Sequence, residues 1–275
     1  MSDNETVLAA AREAIERADV LLIAAGAGMG VDSGLPDFRG SEGFWRAYPA
    51  AAKLGLRFEQ LASPHWFERD PQLAWGFYGH RLNLYRATTP HAGFPRLLEL
   101  ARRKKSYFVF TSNVDGHFQA AGFDDERIIE CHGSIHQLQC SSPCCETIWP
   151  NEQEVTINEP TLRAAEPLPR CPTCGQVARP NVLMFGDAGW IGDRTQSQHE
   201  RFQSWLGEVA DERLAVLEFG AGSAIPTVRL TCEQIVRSLD ETTLIRINPR
   251  ETHVPAGQIG LPMGSLAAIE AMLGI

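Results

Sequence analysis

The residues best equipped for chemistry crowd into one stretch, IECHGSIHQLQCSSPCC, residues 129–145. It holds four of the seven cysteines and two of the eight histidines. A structural metal consumes its ligands, whereas a histidine that moves protons has to be left free. The spacing separates the two jobs. Cys171 and Cys174 form the tight knuckle CPTCG, and upstream Cys140 is followed by Cys144 and Cys145. This gives C-x3-C or C-x4-C, then C-x2-C. Four thiolates from Cys140, Cys144, Cys171 and Cys174 would satisfy tetrahedral zinc. Cys144 is preferred to Cys145 because it follows the turn-prone SSP. Such a site is closed and therefore structural. Cys131 and Cys232 lie in apolar stretches and are expected in the core. His132 stands outside the knuckle, at the end of a predicted strand and before Gly133, where it can serve as a base.

A second candidate follows the best strand in the chain. AAGAGMGVDSGLPDFRG, residues 24–40, carries glycines at 26, 28 and 30. Glycine lets backbone approach a phosphate closely. PDFR then packs a rigid proline, a carboxylate, a ring and a guanidinium into four residues. A stiff loop of such mixed chemistry points to a site.

These groups need elements to position them. Short apolar runs recur at 18–28, 106–113, 127–133, 214–222 and 243–249. Helical patterns lie between some of them, as at 94–104, and SLAAIEAMLGI suits a closing helix. Continuous apolar strands alternating with helices indicate a parallel sheet covered on both faces. In such sheets ligands bind beyond the C-terminal ends of the strands. Two segments break the rhythm. Residues 42–90 are rich in aromatics and helix formers and read as a helical insertion. Residues 136–180 hold five cysteines and many prolines, and a module so rich in loops needs a metal to fold.

Composition sets the outer limits. The chain has 275 residues, 44% of them hydrophobic and 21% charged, an ordinary globular balance with ample material for a core. A net charge of −9 speaks against a broad nucleic-acid or acidic-membrane surface and is compatible with a basic substrate. No apolar run has the length of a membrane span, and the N-terminus reads as an amphipathic helix, not a signal peptide. A cytoplasmic protein is expected. Clustered thiols in a reducing compartment suggest metal more than disulfides.

Taken together and in order, the motifs resemble those of the sirtuins over nearly the whole chain. GAGMGVDSGLPDFRG is similar to the family's GAGxSxxSGIPDFR, TSNVDGHFQAAG (111–122) to TQNIDxLHxxAG, and ECHGS to its catalytic ExHG. The paired cysteines, RPNVLMFGD (179–187) and INPRE (247–251) follow in the family's order. The resemblance implies an α/β fold: a Rossmann-like, doubly wound parallel sheet with a small domain made of a zinc-binding module and a helical module. On this basis residues 1–41, 91–135 and 181–275 form the NAD-binding domain. Residues 42–90 form the helical module and 136–180 the zinc-binding module.

The same resemblance implies an NAD-dependent protein-lysine deacylase. The acyl-lysine enters the cleft, its acyl oxygen attacks C1′ of the nicotinamide ribose, and nicotinamide departs. Histidine then acts as base on a ribose hydroxyl, and water completes the transfer, giving free lysine and O-acyl-ADP-ribose. The expected catalytic residues are His132, Asn113 and Asp115. The expected NAD contacts are Gly26, Ala27, Gly28, Asp37, Phe38, Arg39, Ser112, Asn113, Asp115, Gly220, Gly222 and Asn248. Several positions depart from the family pattern. Gly30 replaces a serine, Ser112 a glutamine, and Asp187 a glutamate. FGAGSAIPTVR (219–229) replaces GTSLxVxP. Substrates of the family pair as an added strand along 184–187 and 222–226, and Pro226 lacks the N–H such pairing uses. These changes keep an NAD glycohydrolase or ADP-ribosyltransferase on the same fold as the alternative.

Overall fold

The computed structural model describes residues 3–37, 44 and 47–274. Phe38 and Arg39, two of the expected NAD contacts, lie outside them.

Eleven strands occur among the described residues. In chain order they are β1 (Val20–Ala25), β2 (Ser106–Thr111), β3 (Ile128–Glu130), β4 (Gly133–Cys140), β5 (Trp149–Pro150), β6 (Ile157–Asn158), β7 (Arg163–Ala164), β8 (Ala178–Val182), β9 (Leu214–Phe219), β10 (Thr242–Ile247) and β11 (Ile259–Leu261). Six form one sheet in the order β11-β10-β9-β1-β2-β3, with all neighbours parallel. The apolar runs seen in the sequence supply five of these strands. β1 and β9 are buried along their whole length, as strands covered on both faces must be. Helices Asp3–Arg17, Gly93–Arg102 and Ser265–Leu273 pack on one face. Helices Asp193–Glu208 and Thr227–Ser238 pack on the other.

From β1 the chain steps outward to β2 and β3, then returns to place β9 on the other side of β1. The order reverses between β1 and β9, and a crevice opens beyond their C-terminal ends. Both strands end in glycine turns, at Gly26 and Gly220.

The helical insertion and the cysteine-bearing segment meet in one apolar core. Leu61, Phe67, Trp75, Phe77, Tyr78 and Leu82 from the first pack with Leu138, Val155, Leu162, Leu168 and Ala178 from the second. The contact is tight at Gly76, where an added Cβ would lie 1.9 Å from the Leu162 carbonyl oxygen. The cysteine-bearing segment therefore draws on burial as well as on any metal. Antiparallel β4 and β8 lead from His132 into this region and back out of it. A buried amide network ties the outgoing chain to β4. Asn181 Nδ2 donates to Gln139 Oε1 at 3.0 Å and to the Ile191 carbonyl at 2.8 Å.

Candidate active site

The crevice is set by backbone packed against backbone. Gly26 N–H donates to the Phe219 carbonyl at 2.9 Å, and Gly28 N–H donates to the Gly220 carbonyl at 3.0 Å. A Cβ on Gly26 would stand 2.7 Å from Ala221 Cα. Gly220 has φ +59°, and its Cβ would stand 2.4 Å from Gly28 Cα. Only glycine meets both demands. Two asparagines hold the turns. Asn113 Nδ2 donates to the Gly26 carbonyl at 3.0 Å. Asn248, fully buried, donates to the Ala221 carbonyl at 2.9 Å and accepts from Arg250 and Glu251 N–H, each at 3.0 Å.

Beyond the turns lies a cavity of about 670 Å³, bounded by the glycine turns, the 112–115 loop, His132, residues 182–185 and the helical insertion. Gly26, Ala27, Asp37, Ser112, Asn113, Asp115, His132, Gly220 and Gly222 all line it. Gly28 and Asn248 do not. They stand behind the turns, where the Asn248 side chain bonds three backbone groups.

β3 ends at Glu130, and His132 stands in the two-residue turn that precedes Gly133, the first residue of β4. That residue has φ +77°, and a Cβ there would lie 2.1 Å from the Asn181 carbonyl oxygen. The imidazole is half-buried, and its Nε2 lies 3.4 Å from Thr227 Oγ1. Burial lowers its pKa from the ordinary value, and a hydrogen bond to the Ser112 backbone opposes part of that shift. The ring is thus neutral at pH 7 and able to accept a proton. The second histidine of the stretch has a structural part. His136 Nε2 bonds the Asp115 carbonyl at 2.8 Å, and Gly116 (φ +71°) leaves room for its ring. The Asp115 carboxylate accepts from His117 N–H at 3.0 Å, which fixes the 113–117 turn.

The opposite wall carries groups that sequence reading missed. Tyr78 and Arg81 stand about one turn apart on helix Pro71–Ala87, and both line the cavity with Tyr85. The buried guanidinium donates to the Tyr85 hydroxyl from Nε at 3.0 Å and lies 5.4–6.0 Å from four ring centroids. A lone cation inside WGFYGHRLNLY was the available signal, because an arginine so embedded in apolar residues needs a reason to be there. Asp187 turns away from the cleft. Its carboxylate pairs with Arg179 at 2.6 Å, with both side chains buried, and accepts from Met184 N–H at 3.2 Å. Leu183 and Phe185 are left exposed at the rim.

The Sir2 family model matches residues 26–203. The chain belongs to the Sir2 family. It is 37% identical over 163 residues to an NAD-dependent protein deacylase of Pyrococcus furiosus, a match covering 59% of each chain. It is 30% identical over 243 residues to NAD-dependent protein deacylase 2 of Pseudomonas syringae pv. tomato, covering 88% of this chain and 89% of the relative. Among solved structures, a Sir2 homologue bound to ADP-ribose aligns with TM-score 0.71 and 27% identity, over 96% of this chain and 94% of the other. A Sir2 homologue in complex with NAD aligns with TM-score 0.70 and 25% identity, over 100% and 94%.

In this Sir2-family chain Cys140, Cys144, Cys171 and Cys174 converge, with all four sulfurs within 4.8 Å of one another. Cys140 Sγ lies 3.7 Å from Cys174 Sγ, and Cys144 Sγ lies 3.6 Å from Cys171 Sγ. Sulfurs at about 2.3 Å from a tetrahedral zinc are separated by roughly 3.8 Å. The thiols are therefore spaced for a metal and too far apart for disulfides. Cys145 stands beside the set, 3.8 Å from Cys144 Sγ. Cys232 is fully buried, as expected of a core residue. Cys131 is only half-buried, and desolvation pushes its thiol up to about 12. It follows the edge strand β3 and borders a groove behind His132.

Proposed function

We propose that the chain is an NAD-dependent protein-lysine deacylase. The observation that carries this reading is His132, half-buried in the wall of a cavity whose other walls are paired glycine turns and an apolar rim. Gly26 and Gly220 let the two turns pack backbone to backbone, and the wall they form together is where a pyrophosphate would lie. When bound, NAD supplies a sugar carbon open to attack, with nicotinamide as the leaving group. The other tasks fall to the chain. Asn113 and Asp115 orient polar groups over the turn, with Ser112, Ala27, Asp37 and Gly222 completing that side. Leu183, Phe185 and Ile225 exclude water and guide an acyl-lysine side chain inward. His132 takes a proton at Nε2. Arg81 places positive charge in the acyl-side wall, so the panel of substrates should include acidic as well as neutral acyl groups.

Zinc on Cys140, Cys144, Cys171 and Cys174 would hold the small domain and stay out of the reaction. We assign 1–41, 91–135 and 181–275 to the nucleotide domain. Residues 42–90 and 136–180 are the helical and zinc-binding modules of the small domain. Free thiols in such a cluster suit the cytoplasm. No described helix is long and apolar enough to cross a membrane.

The second reading, NAD glycohydrolysis or ADP-ribosyl transfer, draws on Ser112 and on exposed Pro226 within the 222–226 segment. One experiment separates the two: nicotinamide release from NAD, with and without acyl-lysine peptides. Release that depends on peptide and yields O-acyl-ADP-ribose supports the deacylase. Release that ignores peptide supports the alternative. His132→Ala should lower peptide-dependent turnover by about 10²–10⁴-fold while leaving NAD affinity within a few fold. Full activity in that variant would remove His132 as the base.

A further inference from the structure

Behind the active cleft lies a second opening of about 1140 Å³, between helices Asp193–Glu208 and Thr227–Ser238. Its floor includes Phe110, Ile129 and Cys131, and its rim carries Thr195, His199 and Thr231. Thr227 lines this groove and does not line the cleft, whereas His132 lines the cleft and not the groove. The two touch through one pair of atoms, Thr227 Oγ1 and His132 Nε2, 3.4 Å apart. Thr227 is the first residue of its helix, and its hydroxyl makes this hydrogen bond and no other among the described residues. The hydroxyl is thus free to turn toward the imidazole.

A base buried in a closed cleft has to dispose of the proton it takes. The cleft side will be filled by nucleotide and acyl-lysine, so a path through it is blocked during turnover. Thr227 is the one residue that both meets Nε2 and faces the groove among the described residues. A hydroxyl donates and accepts at once, which a relay needs.

We propose that Thr227 is a positioning residue for His132 and carries its proton to water in the rear groove. This rests on the deacylase reading. When His132 takes a proton from a substrate hydroxyl, that O–H bond breaks and Nε2–H forms. The new N–H donates to Thr227 Oγ1. Thr227 then releases its own proton to a groove water while the Nε2 proton moves onto Oγ1, and the imidazole is neutral again. An imidazolium gains more from this partner than a neutral ring does, because hydrogen bonds to charged groups are the stronger kind. Other titratable groups share the two spaces: Asp115, Arg81, Tyr78, Tyr85, Asp37, Glu59 and Glu251 in the cleft, and Asp193, His199 and Cys131 in the groove. Glu130, one residue before Cys131, is buried against Arg194. None of these is shown bonded to His132 Nε2.

The test compares Thr227→Val, nearly isosteric and without a hydroxyl, with Thr227→Ser. The His132 pKa is read by NMR in the unliganded full chain, and kcat is read against pH with an acyl-lysine peptide. Thr227→Val should lower the His132 pKa by about half a unit and move the acid limb of kcat the same way. It should reduce kcat about tenfold with KM little changed, and Thr227→Ser should restore both. A Thr227→Val chain that melts like the wild type but keeps its His132 pKa and its kcat would overturn the proposal. So would a loss that serine fails to rescue. If the wild type releases nicotinamide without peptide, the deacylase reading fails, but the NMR comparison still decides whether Thr227 governs His132.

Discussion

The two sides of the cleft are built by different means. On the nucleotide side, position is set by backbone. Gly26 and Gly220 meet across the β1–β9 reversal with no room for a Cβ, and Asn113 and Asn248 spend their amides on main-chain groups. On the small-domain side, position is set by side chains. A shared apolar core, the buried Arg179–Asp187 pair and four converging thiols hold the 182–187 segment and the Arg81 wall. Backbone contact leaves few acceptable substitutions and fixes one shape, which suits a ligand that never varies. Side-chain packing can be altered residue by residue, which would suit a side whose proposed ligands vary.

The comparison breaks most directly at the metal. Cys171→Ser removes one of the four thiols and leaves three sulfurs near one another without a complete tetrahedron. Structural zinc contributes on the order of 10 kcal/mol to the folding of isolated modules. Here burial shares the work, so we expect a loss of about 5 kcal/mol, confined to the small domain. Zinc content measured on the purified chain should fall from one per chain toward none. Melting should split, with the small domain unfolding first. Unchanged zinc and a single unchanged transition would mean that the apolar core alone holds this side.

Asp187→Ala probes the same side without touching the metal. It strips the partner from a buried guanidinium. Leaving such a charge uncompensated costs about 3–5 kcal/mol. The pair itself is not fully satisfied: Arg179 Nε and Asp187 Oδ1 have no partner among the described residues. The double change Arg179→Met with Asp187→Leu should therefore recover most of the stability. A denaturant titration distinguishes the cases. If the double variant is as unstable as the single one, the pair does more than neutralise itself.

The backbone side was the more legible of the two in the sequence. A glycine turn after a strand has a local cause, and so do the apolar runs that became β1, β2, β3, β9 and β10; on the other side the paired cysteines are the comparable local signal. What escaped notice depends on contacts far apart in the chain. β11 is three residues long and is recognised only by its pairing with β10. Tyr78 and Arg81 are part of an apolar helix until the fold turns them into a cavity wall. Thr227 acquires a role only because β3 ends beside the start of its helix. Asn248 is expected from the sequence to meet the ligand, and the three backbone bonds its side chain makes are not visible there. Cys131 packs against the core as its apolar run suggests, yet stays half-buried because it follows an edge strand, which the run does not disclose.

The smallest expected change in stability is also the sharpest test of the contrast. Gly220→Ala adds one methyl group at φ +59°, where an L side chain is strained, and sets it 2.4 Å from the Gly28 backbone. The strain costs about 1–3 kcal/mol, less than either change on the other side. The two turns must separate to admit the methyl group, and their separation is what shapes the proposed phosphate cradle. Binding should therefore suffer more than folding does. Calorimetric titration with ADP-ribose should show at least about a tenfold loss of affinity, about 1.4 kcal/mol, while the small-domain transition and zinc content stay as in the wild type. Equal affinity in a folded Gly220→Ala chain would mean that the turns can part without consequence. The nucleotide side would then be as adjustable as the wall opposite.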